Sequence, residues 1–444
     1  MKIDEAKKVL AANGQEHVLK FWGKLKAKER TALLEQIAKL DFDAIKYCQE
    51  TLAAKDKPAK CVKKAKPVPP KVAELSGKAL DAAVKKGEAE LRAGRVAVLL
   101  VAGGQGSRLG FEGPKGCYPV GPLTDAPLFF FHARKVLALT LKYGAKVPFY
   151  IMTSEANYEA TVKHFDENAF FGLDPEDVIF FKQGMWPGMT DEGKIIMDAP
   201  GHIFMSPDGH GGLIAALDRN GCLKDMKKRG VTSVYFFQVD NPIVEVGDPA
   251  FIGYHVAQKA EYSLKVCAKR DWKEGLGVPV KRGSRFEMIE YTEMTEEDAK
   301  RTTANGDLYF KYGSPAIHVF DRAFLEAEAK KAMPLHLAHK KIPTVNDKGQ
   351  VVKPDAPNGW KFEKFIFDIL PDAKRVANVA FAREDEFAPV KNAEGEDSPA
   401  TAKAAMTAKW ARQLDKAGIV LKPGVPVEID PCFEVPQGGL LFTV

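Results

Sequence analysis

The chain is poor in cysteine and pairs none of it: Cys48, Cys61, Cys117, Cys222, Cys267 and Cys432 are scattered through 444 residues with no C-x-x-C spacing. That argues against a zinc site or a disulfide framework and reads as six reduced structural thiols. No stretch approaches the roughly 20 apolar residues needed to cross a bilayer. The opening, Met1 to Lys8, has no apolar core of the kind a secretion signal needs. A cytoplasmic protein without a membrane partner is expected. There is no internal repeat, and a hydrophobic content of 45% over 444 residues is enough to bury a large α/β core.

The formal charge of +6 would suit a nucleic-acid partner, but it sits in one place. Between Thr51 and Val72 there are seven lysines (55, 57, 60, 63, 64, 66 and 71) against Asp56 alone, interleaved with Pro58, Pro67, Pro69 and Pro70. A Lys/Pro-rich linker over residues 52–72 is the expected reading. No basic stripe with interleaved aromatics follows it, so no nucleic-acid partner is expected, although a surface docking role stays open.

Val18, Leu19, Phe21, Trp22 and Leu25, then Leu33, Leu34, Ile37, Leu40 and Ile45, recur at three- and four-residue steps and predict an N-terminal helical region. A further helix is expected from Gly77 to Leu91. From Val96 the texture changes to short continuous apolar runs: 96–101, 147–152, 178–181 and 233–239. Helical segments such as Leu128 to Tyr143 separate them, which is the alternation of a doubly wound sheet. An alanine-rich helix ending near Ala417 and then short Pro/Gly-punctuated runs predict a small C-terminal subdomain. The expected division is 1–94, 95–382 and 383–444.

The first strand runs directly into Gly103-Gly104-Gln105-Gly106-Ser107-Arg108-Leu109-Gly110-Phe111-Glu112-Gly113-Pro114-Lys115. Five glycines and two cations in thirteen residues point to a loop whose backbone comes close to a phosphate or base. It is not a Walker A loop, because Lys115 follows Pro114 and precedes Gly116. Nor is it a dinucleotide fingerprint, since Gly106 is followed by Ser107, Arg108 and Leu109; an NAD-dependent oxidoreductase loses ground accordingly. A scaffold protein acting through the linker would leave these residues without a task.

This loop resembles that of the UDP-sugar pyrophosphorylase (UDPGP type 1) family, most closely its UDP-N-acetylglucosamine branch. Further resemblances follow in order: Gly14 to His17 with Phe21-Trp22, Phe181 to Met185, Ser206 to Leu213, Gln238 to Asn241, Glu290 to Glu293, Pro357 to Phe365 and Arg383 to Asn392. The resemblance implies an α/β protein with a Rossmann-like nucleotidyltransferase (GT-A-like) central domain on a mixed, mainly parallel sheet. It also implies a uridylyltransferase that joins UTP to a sugar 1-phosphate and releases pyrophosphate. Gly103, Gly104, Gln183 and Gly209 would hold the uracil, with the Gln183 amide able both to donate to and accept from the base edge. Arg108, Lys115 and Lys391 would be catalytic, clamping the phosphates. Asp240, at the carboxyl end of a buried strand, suits Mg²⁺, which takes few protein ligands and several phosphate oxygens; a turn cap before Asn241-Pro242 is the competing reading, and no second ligand is evident.

The attacking phosphate is already mostly dianionic near pH 7, so neither a general base nor a covalent intermediate is expected. His210, Gly277, Glu290 and Ser314 would contact the sugar. The N-acetylglucosamine branch carries Asn where this chain has His210 and Ser314, whereas glucose-using relatives have His at the first place. The body of the chain resembles the N-acetylglucosamine branch while part of its pocket resembles the glucose-using one, so N-acetylglucosamine 1-phosphate is the expected substrate, with glucose 1-phosphate or broader use as the alternative. His164, His202, His255, His318, His336 and His339 read as structural or surface residues, and Trp360 to Phe367 as a core helix. The oligomeric state is left open, with a monomer preferred.

Overall fold

The computed structural model describes residues 1–55, 66–422 and 424–433. Residues 56–65 of the expected linker, with Cys61, lie outside the described residues. The chain forms two compact units, each assembled from separated segments. One comprises Met1–Lys64, Gly184–Leu213 and Ala332–Asp368; the other comprises Ala65–Gln183, Ile214–Lys331 and Ile369–Val444. The compact units thus do not follow the order 1–94, 95–382 and 383–444.

The second unit is built on an eight-stranded sheet: β1 (Val96–Val101), β2 (Phe149–Thr153), β3 (Val178–Lys182), β4 (Ser233–Gln238), β5 (Tyr262–Ala268), β6 (Tyr312–Gly313), β7 (His318–Asp321) and β8 (Val376–Ala380). Three of the apolar runs become the interior strands β1, β2 and β4, buried along nearly their whole length, while β3 closes one end of the sheet beside β2 and is only partly buried. β1 lies parallel between β2 and β4, β2 is parallel to β3, and β8 is parallel to β5. β7 runs antiparallel to β4 and β5, and β6 antiparallel to β5, so the sheet is mixed. Register decides where the site can form. Val101 stands opposite both Met152 and Gln238, and Thr153 opposite Lys182, so the carboxyl ends of β1 to β4 finish level with one another. The loops that follow all emerge at that edge, where open α/β sheets collect ligands.

The helices Gly77–Arg92, Leu128–Tyr143 and Pro399–Lys416 occupy the expected stretches. Leu128, Phe129, Phe131 and Val136 of the second, and Ala402, Met406 and Trp410 of the third, join the main core. The described end of the linker is not a loose connector. Val68 exchanges two backbone hydrogen bonds with Lys281, at 3.0 and 2.8 Å, and Ala73 pairs with Asn378 and Ala380. Within the described residues no helix is long and apolar enough to cross a membrane, and the five described cysteines are free.

In the other unit, helices Ile3–Ala12, Ala27–Lys39 and Phe42–Ala53 bury Leu10, Leu33, Ile37, Ile45 and Leu52 against Trp186, Ile195, Ile203 and Phe362. The Gly14 to His17 motif locks this packing. Fully buried Gln15 donates to the Gly193 carbonyl at 3.0 Å and accepts from the Ile195 N–H at 2.8 Å, while His17 donates to the Ile195 carbonyl at 2.8 Å. The expected core helix from Trp360 to Phe367 is a misreading. Gly359–Glu363 is a strand paired antiparallel with His336–Lys340. Trp360 and Phe362 alternate with Lys361 and Glu363, a period of two rather than 3.6. His339 lies flat on Trp360, ring centres 4.3 Å apart.

Two histidines of the sheet-bearing unit make stability acid-sensitive. Burial, with Lys135 nearby, pushes His132 down to about 3 against the support of its hydrogen bond to the Val239 carbonyl, and burial pushes His255 down to about 4. Both folded values lie below the unfolded one near 6.5, so the unfolded chain binds more protons as pH falls from 6.5 towards 4, and stability is lost across that window. Each contributes up to about 1.4 kcal/mol per pH unit there. Urea unfolding at pH 7, 6 and 5 checks this, and His132→Gln is expected to flatten the slope; an unchanged slope would refute it.

Candidate active site

The site begins where β1 stops. The glycine turn folds back on itself through Gly106 N–H to Gly113 carbonyl and Lys115 N–H to Gly104 carbonyl, both 3.0 Å, which returns Lys115 beneath the start of the loop. Asn157, a residue the sequence did not single out, fixes the turn from the β2 side. Its Nδ2 donates to the carbonyls of Ala102 and Gly104 at 2.9 and 3.2 Å.

Gln183 follows β3 and anchors its backbone to Thr153. Its side chain is only 9% exposed and makes no hydrogen bond among the described residues. A Cβ on Gly103 would stand 2.8 Å from the Gln183 amide nitrogen, so glycine there leaves room beside an amide whose donors and acceptor stay available.

Asp240 lies just past β4, and its carboxylate is 3.6 Å from the Lys115 ammonium; both side chains are largely covered. The backbone beneath is held from two directions. Val239 accepts from His132 at 2.9 Å, and the Lys135 ammonium donates to the carbonyls of Pro242 and Val244. Burial, reinforced by Lys409, pulls Lys135 down to about 7. Val390 N–H donates to the Asp240 carbonyl at 2.8 Å, which brings the backbone of Lys391 to the same loop. The Lys391 ammonium lies 3.7 Å from Asp397. Arg108 is exposed, with no ion pair among the described residues. The structure therefore gathers Gly103, Gly104, Lys115, Gln183 and Asp240 at the level strand ends, with Lys391 tied in through Val390.

The proposed sugar contacts fall in two places. Ser314 N–H donates to the Gly277 carbonyl at 2.8 Å, and a Cβ on Gly277 would lie 3.0 Å from a Glu290 oxygen, so these three belong together in the sheet-bearing unit. Gly209 and His210 belong to the other unit. There Gly209 adopts φ +79°, and a Cβ would strike the Lys364 carbonyl oxygen at 2.5 Å. Gly211 N–H donates to that same carbonyl. His210 stacks on Phe365 and accepts at Nδ1 from the Ile366 N–H at 3.1 Å. Burial pushes its pKa down to about 4, so it is neutral at pH 7 and carries its proton on Nε2.

A glycine turn, an available amide, cations and a carboxylate at the carboxyl edge of a mixed α/β sheet define an enzyme of the nucleotidyltransferase type. The chain belongs to the family described as UTP–glucose-1-phosphate uridylyltransferase, whose model matches residues 43–400. It is similar to UDP-N-acetylhexosamine pyrophosphorylase-like protein 1 of Homo sapiens, with 37% identity across 94% of this chain and 88% of that one. Its identity to UDP-N-acetylglucosamine pyrophosphorylase of Saccharomyces cerevisiae is 34%, across 96% and 94%. Among solved structures it resembles the uridine diphosphate N-acetylglucosamine pyrophosphorylase of Trypanosoma brucei in complex with inhibitor, at TM-score 0.79 and 30% identity over 93% of this chain and 86% of that one.

Proposed function

We propose that this chain joins UTP to N-acetylglucosamine 1-phosphate, releasing UDP-N-acetylglucosamine and pyrophosphate by direct in-line attack on the α-phosphorus. The observation that carries the reading is the partly buried Lys115–Asp240 pair beside the Gly103–Gln183 notch: opposite charges with a vacant amide at the strand ends. In the sheet-bearing unit Gly103, Gly104 and Gln183 take the uracil, and Arg108, Lys115 and Lys391 take the phosphates. The sugar contacts in the sheet-bearing unit are Gly277, Glu290 and Ser314. Span 95–382 carries most of these contacts, and 383–444 supplies Lys391.

Asp240 is the residue to hold Mg²⁺. No cluster of three or more His, Cys, Asp or Glu side chains able to hold a metal occurs among the described residues. One carboxylate at the phosphate end fits an ion whose other ligands are phosphate oxygens and water. Such an ion would neutralise charge on the phosphates when bound. The protein's own part is positioning: Lys115 leaves Asp240 for the triphosphate, and Arg108 and Lys391 offset the charge that builds on the leaving pyrophosphate.

His210 supports a second reading, glucose 1-phosphate as substrate. With Nδ1 engaged by Ile366 it offers only the Nε2–H donor, where asparagine would offer donor and acceptor together. Pyrophosphate release with UTP, Mg²⁺ and each of the two sugar 1-phosphates decides between them, and release with neither rejects the uridylyltransferase reading. A narrower check is Gly103→Ala. The Gln183 amide can swing away from the new methyl, so the fold should persist, and losing its contact to the base is expected to raise KM for UTP roughly tenfold with kcat little changed. Equal losses in kcat and thermal stability would count against that role.

A further inference from the structure

The Asp240 loop and the Lys391 segment are joined by bonds that the proposed substrate-facing side chains do not make. Asn241, 3% exposed, donates from Nδ2 to the Glu386 carbonyl at 2.6 Å and accepts at Oδ1 from the Ala388 N–H at 3.1 Å. Together with the Val390 N–H to Asp240 carbonyl bond at 2.8 Å, these make a three-rung ladder that ends one residue before Lys391. The far rail is itself anchored. The Glu386 carboxylate lies 2.5 Å from the Lys265 ammonium, which also reaches Asp248 at 2.7 Å.

An asparagine that merely shapes a turn bonds to its own neighbours. Both partners of Asn241 lie far along the chain, at separations of 145 and 147 residues. The side chain therefore does long-range work, and what it holds in register is one anion and one cation of the site. We propose that Asn241 is a positioning residue that sets the separation between the Asp240 carboxylate and the Lys391 ammonium; this rests on the uridylyltransferase reading above. A carboxylate that carries a metal–phosphate cluster and a lysine that meets the same phosphates must keep a fixed spacing, because misplacement by about 1 Å can cost on the order of 10² in rate.

The test uses the full chain with Asn241→Leu, which removes both bonds, and Asn241→Asp. The latter is isosteric, keeps the acceptor for Ala388 and turns the Glu386 contact into oxygen facing oxygen. Pyrophosphate release is expected to fall roughly 10- to 100-fold in kcat, with the Mg²⁺ concentration for half-maximal activity rising by a similar factor. Uridine affinity, measured without metal by saturation-transfer NMR, should stay within about twofold of wild type, because the Gln183 backbone is anchored to Thr153 and Asn157 fixes the glycine turn at Ala102 and Gly104, none of which involves Asn241. Asn241→Asp serves if Asn241→Leu does not fold. Kinetics and Mg²⁺ dependence within twofold of wild type in the folded variants overturn the proposal, as does uridine affinity falling in step with kcat, which would mark a merely structural residue. A wild-type chain that releases no pyrophosphate from any sugar 1-phosphate instead removes the uridylyltransferase reading, and this inference with it.

Discussion

Replacing Asp240 by alanine is expected to lower kcat for pyrophosphate release by roughly 10²- to 10³-fold, the loss typical when one preorganised electrostatic group is removed from a charge-developing step. The effect on UTP binding should be small or opposite in sign. Asp240 lies 3.6 Å from Lys115, so alanine frees that ammonium for the triphosphate, and KM for UTP is expected to hold steady or fall. Lys115→Ala should behave differently, losing both UTP affinity and rate. The contrast separates two roles for the carboxylate. If Asp240 only orients Lys115, the two single variants lose equal activity and the double variant is no worse than either. If Asp240 also carries the metal, Asp240→Ala alone shifts the Mg²⁺ dependence and the double variant is slower than both. Steady-state kinetics over a Mg²⁺ titration read all of this, and an Asp240→Ala enzyme within threefold of wild type would sink the assignment.

What was legible beforehand follows from the reach of each signal. β1 is a run of six apolar residues with an abrupt glycine turn, and both its ends sit where the sequence places them, because burial on two faces allows no polar interruption. Lys115 and Asp240 could each be suspected from their loops, but their approach depends on β1 and β4 ending level, and pairing register is not written in either strand alone. Asn241 looked like part of an Asp-Asn-Pro turn, since its partners Glu386 and Ala388 are remote. Trp360 to Phe367 departs from the expected core helix because aromatic density suggests a helix, while the alternation of Trp360 and Phe362 with charged residues is that of the strand Gly359–Glu363. The glycine loops were visible for a simpler reason: a turn that admits a ligand or a neighbouring backbone has no substitute for a missing side chain, as Gly103 beside Gln183 and Gly209 against Lys364 demonstrate.

Lys265→Met is expected to be among the most destabilising single changes in the sheet-bearing unit, by about 3–5 kcal/mol, the range for removing one partner of a buried ion cluster. Lys265 is 1% exposed on β5, and its ammonium meets two carboxylates, Asp248 at 2.7 Å and Glu386 at 2.5 Å. Burial pulls its pKa down, but the two carboxylates outweigh burial and hold it charged, well above the usual lysine value. Methionine fills much of the same volume, so the loss is electrostatic rather than a cavity. Asp248 and Glu386 are then left facing each other, and Glu386, whose pKa burial already raises, is the one to take up a proton. Its folded pKa would lie further above the unfolded value, so the fold prefers the protonated form, and the variant loses stability as pH rises through that window. The deficit measured by urea unfolding should therefore be smaller at pH 5 than at pH 8, and adding Glu386→Gln should recover part of it by removing the unpaired charge. A Lys265→Met chain within 1 kcal/mol of wild type at pH 8, or a deficit that grows on acidification, would contradict the charged cluster. Because the Glu386 carbonyl also receives the Asn241 side chain, the same substitution is expected to lower kcat by more than the unfolded fraction explains.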